Sequence, residues 1–179
     1  MPPQLRPNQV YLAEYVVERL AQIGIKRAFG VPGDFNLELL DFFEAKPDKV
    51  EFIGCCNELN ASYAADGYAR VSPAKMGCLI TTFGVGELSS MNGQAGAYAE
   101  RVPIIHIVGV PSTKLSKVGA VLHHTLGDGS TFVSLCLTLD SRRARFLDVE
   151  DVVLVDNPVD LGRLLISTIY RIRRLPKGR

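Results

Sequence analysis

Apolar residues along this chain fall into two alternating rhythms: short unbroken runs, which suit buried strands, and longer stretches with three-and-four spacing, which suit helices. Leu12, Tyr15, Val16, Leu20 and Ile23 lie near one face of a first helix that Asn8 can cap, and Glu14 and Glu18 load the opposite face. Gly24 supplies its C-terminal stop. Ile25 to Gly30 reads as a short buried strand, and Val31-Pro32-Gly33-Asp34 forces a loop that sets Asp34 at the strand's exit. Asn36 can cap a second helix, with Leu37, Leu39, Leu40 and Phe43 as its apolar stripe.

The same alternation continues. Val50 to Gly54 is a second strand, followed by a helix from Glu58 to Val71 crowded with Ala61, Ala64, Ala65, Gly67 and Ala69. Cys78 to Thr81 is a third strand, Thr82 to Gly86 a loop, and Glu87 to Glu100 one more small-residue helix with Gly93, Ala95, Gly96 and Ala97. Small side chains at helical spacing let a helix lie close to a sheet or to another helix. Ile104 to Gly109 is a fourth strand, apolar enough to be buried on both faces. From Thr131 to Asp151 no element is assigned, and Phe132 to Leu139 is open between a strand and the start of a helix. Val152 to Asp156 is expected to be a strand, and Pro158 to Ile172 a helix with Leu161, Leu164, Leu165 and Ile169 inward. Residues 1–7 and 173–179 are expected to be loose tails, the second one basic.

Strand–helix alternation implies an α/β fold: a doubly wound, mostly parallel sheet with helices on both faces. The 179 residues suit one domain with a sizeable core. A composition 47% apolar and 22% charged excludes disorder, and a net charge of +1 gives no footprint for nucleic acid. No apolar run reaches the roughly 18 residues of a membrane span. The N-terminus lacks the apolar core of a signal peptide. Cys55, Cys56, Cys78 and Cys136 show no CxxC spacing and no disulfide ladder, so a reduced, cytoplasmic setting is expected.

In such sheets ligands bind outside the carboxyl ends of the strands. Glu58 and Asp34 are the carboxylates placed there, and His123 and His124 are the side chains that titrate nearest neutrality. Each has an ordinary reading as well. Glu58 alone could be a first-turn helix glutamate, Asp34 a turn cap and the histidine pair surface decoration. If extended, His123 and His124 face opposite ways, so at most one need point into a site. His106, mid-strand, reads as a satisfied core or interface histidine.

Five motifs in order tip the balance: Phe29-Gly30-Val31-Pro32-Gly33-Asp34, Asn57-Glu58-Leu59-Asn60, Ala65-Asp66-Gly67-Tyr68-Ala69-Arg70, Thr81-Thr82-Phe83-Gly84-Val85-Gly86-Glu87-Leu88-Ser89 and His123-His124-Thr125-Leu126-Gly127. Together they closely resemble the N-terminal, pyrimidine-binding domain of thiamine-diphosphate-dependent decarboxylases, nearest to the pyruvate decarboxylases. The resemblance is dense from Val10 to Asp128 and loose after that. It implies that Glu58 hydrogen-bonds the cofactor's aminopyrimidine ring and shuttles its proton. It implies that Asp34, His123 and His124 face a 2-oxo acid such as pyruvate. Thr82, Gly33 and the neighbouring loop backbone would contribute to the cofactor pocket.

The residue types suit that chemistry. A weakly basic ring nitrogen is protonated usefully only by a carboxylic acid in a poorly solvated slot. The helix N-terminus at Glu58 favours the anion by roughly 0.3–1 kcal/mol. Full burial can shift a carboxyl by up to 3–5 units, about 4–7 kcal/mol, so burial wins in a dry slot. Two other glycine patterns carry less. Gly84-Val85-Gly86 opens a helix after a strand, but a dinucleotide fingerprint would need a third glycine where Ser89 stands. Gly127-Asp128-Gly129 is followed only by a lone Asn157, where a magnesium and diphosphate motif has paired asparagines. The resemblance therefore puts magnesium and the diphosphate on a domain outside this stretch, and no metal ligand is assigned here. Three expectations follow: an N-terminal portion inactive alone, a subunit of a split enzyme or of a homo-oligomer, or a non-catalytic dimerising module.

Overall fold

The computed structural model describes residues 10–111 and 122–124, together with the backbone of residues 165–168. The strands are β1 (Arg27–Gly30), β2 (Glu51–Gly54), β3 (Gly77–Thr82), β4 (Ile104–Gly109) and β5 (Leu165–Thr168). The helices are α1 (Leu12–Gln22), α2 (Leu37–Glu44), α3 (Glu58–Val71), α4 (Val85–Ser89) and α5 (Met91–Ala99). Sheet order is β2-β1-β3-β4-β5. β1 to β4 are mutually parallel, in the register Gly30↔Gly54, Gly30↔Ile80 and Thr82↔Gly109. The chain leaves β1 for β2 on one side and later returns to β3 on the other. The C-terminal ends of β1 and β3 therefore flank a switch point of the kind where open α/β sheets bind ligands.

Alternation along the central strands sends side chains to two cores. Cys78, Ile80 and Ile107 meet Ala13, Val16, Val17 and Leu20 of α1 and Leu39, Leu40 and Phe43 of α2. Leu79 and Ile104 meet Ala61, Ala65 and Ala69 of α3 and Ala97 of α5. Helices thus cover both faces, as the strand–helix alternation implies. The small residues have the expected use. A Cβ on Gly77 would overlap the Ala65 carbonyl oxygen, and one on Gly93 would overlap Ser62 Oγ, so α3 sits hard against both β3 and α5.

Several expectations need correction. The α1 stripe is Ala13, Val16, Val17 and Leu20, while Ile23 is exposed, because α1 ends at Gln22 and Ile23 is its C-cap, already outside the helical face. Gly24 does stop α1: at φ +89° its N–H donates to the Ala21 carbonyl and that of Ile25 to the Leu20 carbonyl. Asn36 precedes α2 without capping it. The single helix drawn over Glu87 to Glu100 is two, α4 and α5, meeting at Ser90. The helix drawn over Pro158 to Ile172 is overturned by β5, which pairs antiparallel with β4 through Ile105↔Thr168 and Val108↔Leu165. An open edge of β4 offers a row of backbone partners, and the β-branched Ile166 and Thr168 suit it better than a helix. Asn8 is not the cap of α1, which begins at Leu12 with Tyr11 in the extended conformation before it. The stretch from Thr131 to Asp151, the strand expected over Val152 to Asp156 and the Gly127-Asp128-Gly129 stretch lie outside the described residues.

Candidate functional site

The site residues come from strand ends, and each is set there by local sequence. Gly54 closes β2, and Asn57 then caps α3 by accepting a hydrogen bond from the Asn60 N–H at 2.8 Å. Glu58 is therefore the first residue of α3, half-buried beside the sheet. Thr82 is the last residue of β3 and not part of the loop; it is buried, at 4% exposure. The two meet at Gly86 of α4. The position of a Gly86 Cβ would lie 2.8 Å from Thr82 Oγ1 and 3.0 Å from Glu58 Oε1. Even a methyl at residue 86 would crowd both, so a carboxyl and a hydroxyl lie close against the bare Gly86 backbone.

The second group lines the rim. Gly33 packs on the same threonine, since its Cβ would stand 2.8 Å from Thr82 Cγ2. Asn36 staples this turn: its Oδ1 accepts from the Gly33 N–H at 2.9 Å and its Nδ2 donates to the Val31 carbonyl at 3.1 Å. The turn presents Asp34 outward, its side chain 74% exposed, with His123 Nε2 3.5 Å from Asp34 Oδ2. His123 and His124 are not extended. They form a turn in which the rings meet edge-on, centroids 4.5 Å apart, and His124 takes the left-handed conformation at φ +69°. Both are exposed. The structure therefore gathers Gly33, Asp34, Thr82, His123 and His124 around the β1–β3 switch point, with Glu58 reaching Thr82 across Gly86.

Other polar groups stay apart. His106 is fully buried, and its Nε2 lies 2.9 Å from Thr81 Oγ1. Burial alone pushes its pKa down to about 3, so it stays neutral and reads as core. Cys55, Cys56 and Cys78 are free thiols; burial raises the pKa of Cys78 to about 12 and that of Cys55 also upward, so neither is a ready nucleophile. One contributor escaped the sequence reading: Phe35, whose ring lies 5.2 Å from that of His123, carried only the signal of an aromatic residue in a turn.

Residues 10–132 match the family described as "Thiamine pyrophosphate enzyme, N-terminal TPP binding domain". The chain belongs to this family. A Schizosaccharomyces pombe protein provisionally named a pyruvate decarboxylase is 57% identical over 131 residues, 72% of this chain and 23% of its own length. The pyruvate decarboxylase of Aspergillus fumigatus is 48% identical over 84% of this chain and 26% of its own length. Pyruvate decarboxylase isozyme 2 of Saccharomyces cerevisiae is 44% identical over 93% of this chain and 28% of its own length. This member of the thiamine pyrophosphate enzyme family thus spans only about a quarter of the relatives it matches. No helix among its described residues is long and apolar enough to cross a membrane.

Proposed function

We propose that this chain forms the pyrimidine-binding side of a thiamine-diphosphate-dependent 2-oxo-acid decarboxylase, with pyruvate as the substrate. The observation that carries the reading is the approach of both Glu58 Oε1 and Thr82 Oγ1 to the bare Gly86 backbone, at the sheet's switch point. One acid and one hydroxyl thus stand together at the first turn of α4, beside the carboxyl ends of β2 and β3, a pair of polar groups of the kind that the edge of an aminopyrimidine needs. Glu58 holds a proton at its carboxyl and exchanges it with the ring. Thr82 and the Gly33 turn orient the same ring. Asp34 and the His123–His124 turn, on the rim, bind the oxo acid and move protons to and from it. When bound, thiamine diphosphate supplies the thiazolium that acts as electron sink for decarboxylation.

Glu58 is half-buried and the rim residues are exposed, so a dry site needs a cover. Val85 and Leu88 of α4, exposed at 49% and 44% beside Gly86, offer an apolar seat for one. We assign that cover to a diphosphate-binding domain that also holds Mg2+, supplied by a second copy in a homo-oligomer or by a separate chain. Nucleic acid and membrane have no part in the reading, and the cytoplasm is the proposed location.

The test is proton–deuterium exchange at the thiazolium carbon. The protein is supplied with thiamine diphosphate, Mg2+ and the diphosphate-binding domain of a pyruvate decarboxylase. Glu58→Gln keeps the fold and slows exchange by about 10²–10⁴-fold, because an amide cannot shuttle the proton. Exchange at the wild-type rate in the variant overturns the assignment and leaves a non-catalytic dimerising module as the better reading.

A further inference from the structure

The rim histidines are held by aromatic contact more than by charge. Asp34 and His123 are both exposed, and an ion pair in that setting is weakened by water and salt. A ladder of rings runs beneath them. Phe83 meets Phe35 edge-on at 4.9 Å, Phe35 meets His123 at 5.2 Å, and His123 meets His124 at 4.5 Å. The far end of the ladder is fixed. Phe83 is 4% exposed, and its N–H donates to the Gly109 carbonyl at the end of β4 at 2.8 Å. The backbone of Phe35 is closed in from the same side, since a Cβ on Gly109 would overlap the Phe35 carbonyl oxygen.

A second contact reaches His124 directly. Gly84 follows Phe83 at φ +71°, and a Cβ there would overlap the His124 carbonyl oxygen. Any larger residue has to push the histidine turn away. Phe83 and Gly84 follow Thr82 directly, so the loop that leaves the cofactor side of the site also seats the rim.

We propose that Phe35 and Gly84 are positioning residues, which lock the His123–His124 turn onto the loop leaving Thr82. What the histidines then do rests on the function proposed above, whereas the lock itself does not. The chain has three histidines, so each ring resonance is readable by proton–carbon NMR on the full chain, and buried His106 reports whether the fold is intact. In Phe35→Leu the ring-current displacement of the His123 resonances is lost while the His106 resonance stays in place; Phe35→Tyr restores it. In Gly84→Ala the His124 resonances move. His123 resonances unchanged in Phe35→Leu overturn the proposal. If that variant fails to fold, Gly84→Ala decides alone, and unchanged His124 resonances with His106 in place overturn the proposal equally. Glu58→Gln leaves all three histidine signals where they are, so failure of the proton-shuttle reading is seen separately.

Discussion

The two faces of the sheet are built on opposite terms. Under α1 and α2 the core is large and apolar: Val16, Val17, Leu20, Leu39, Leu40, Ile80 and the fully buried Phe43. Under α3 and α5 it is thin and mixed. Alanines and Gly93 bring the helices close, and Ser62, Thr81, Ser90, Gln94 and His106 are buried among them. The first face supplies stability through burial of apolar area. The second gives up some of that for close approach, and α3 carries Glu58 at the end of it that opens on the site.

If that contrast is right, damage to the two faces differs in kind. Phe43→Ala leaves a cavity that stiff neighbours cannot fill, and costs about 3–5 kcal/mol in chemical denaturation. Gly93→Ala removes nothing and gains helix propensity, yet its methyl collides with Ser62 Oγ and Cβ. We expect a net loss of about 1–3 kcal/mol, the overpacking cost. Adding Ser62→Gly should recover most of it. A double mutant no better than the sum of the two singles would mean that close helix approach does not limit this face.

The third test is smaller per step and uses pH. His106 is neutral in the folded protein, with a pKa near 3 caused by burial, against an ordinary value of 6.5. The unfolded chain therefore binds the extra proton first. Stability is whole above pH 6.5 and falls as pH drops from there toward 3, by roughly 1.4 kcal/mol per pH unit at most. His106→Leu should flatten that slope without touching the other face, measured as denaturation midpoints across the same range. An unchanged slope would show that His106 is not what makes the polar face sensitive to acid.

Much of this protein was legible in local sequence. Alternating apolar rhythms set β1 to β4 and the helices between them, because a strand or helix is chosen mainly by the spacing of nearby apolar residues. The helix expected from Glu58 to Val71 is α3, and the order of motifs marked the family. What stayed hidden depends on partners far along the chain. Glu58 and Thr82 meet at Gly86 only because β3 pairs with β1 while β2 pairs on its other side. Asn36 looked like a cap, but its amide has better partners in the Val31 and Gly33 backbone that the turn brings within reach. β5 owes its strand to the free edge of β4, which no window around Leu165 contains. The sequence by itself determined β1 to β4, α1 to α3 and which residues stand near their ends. Tertiary packing alone decided which of those ends meet, because the closing contacts join segments that no local pattern relates.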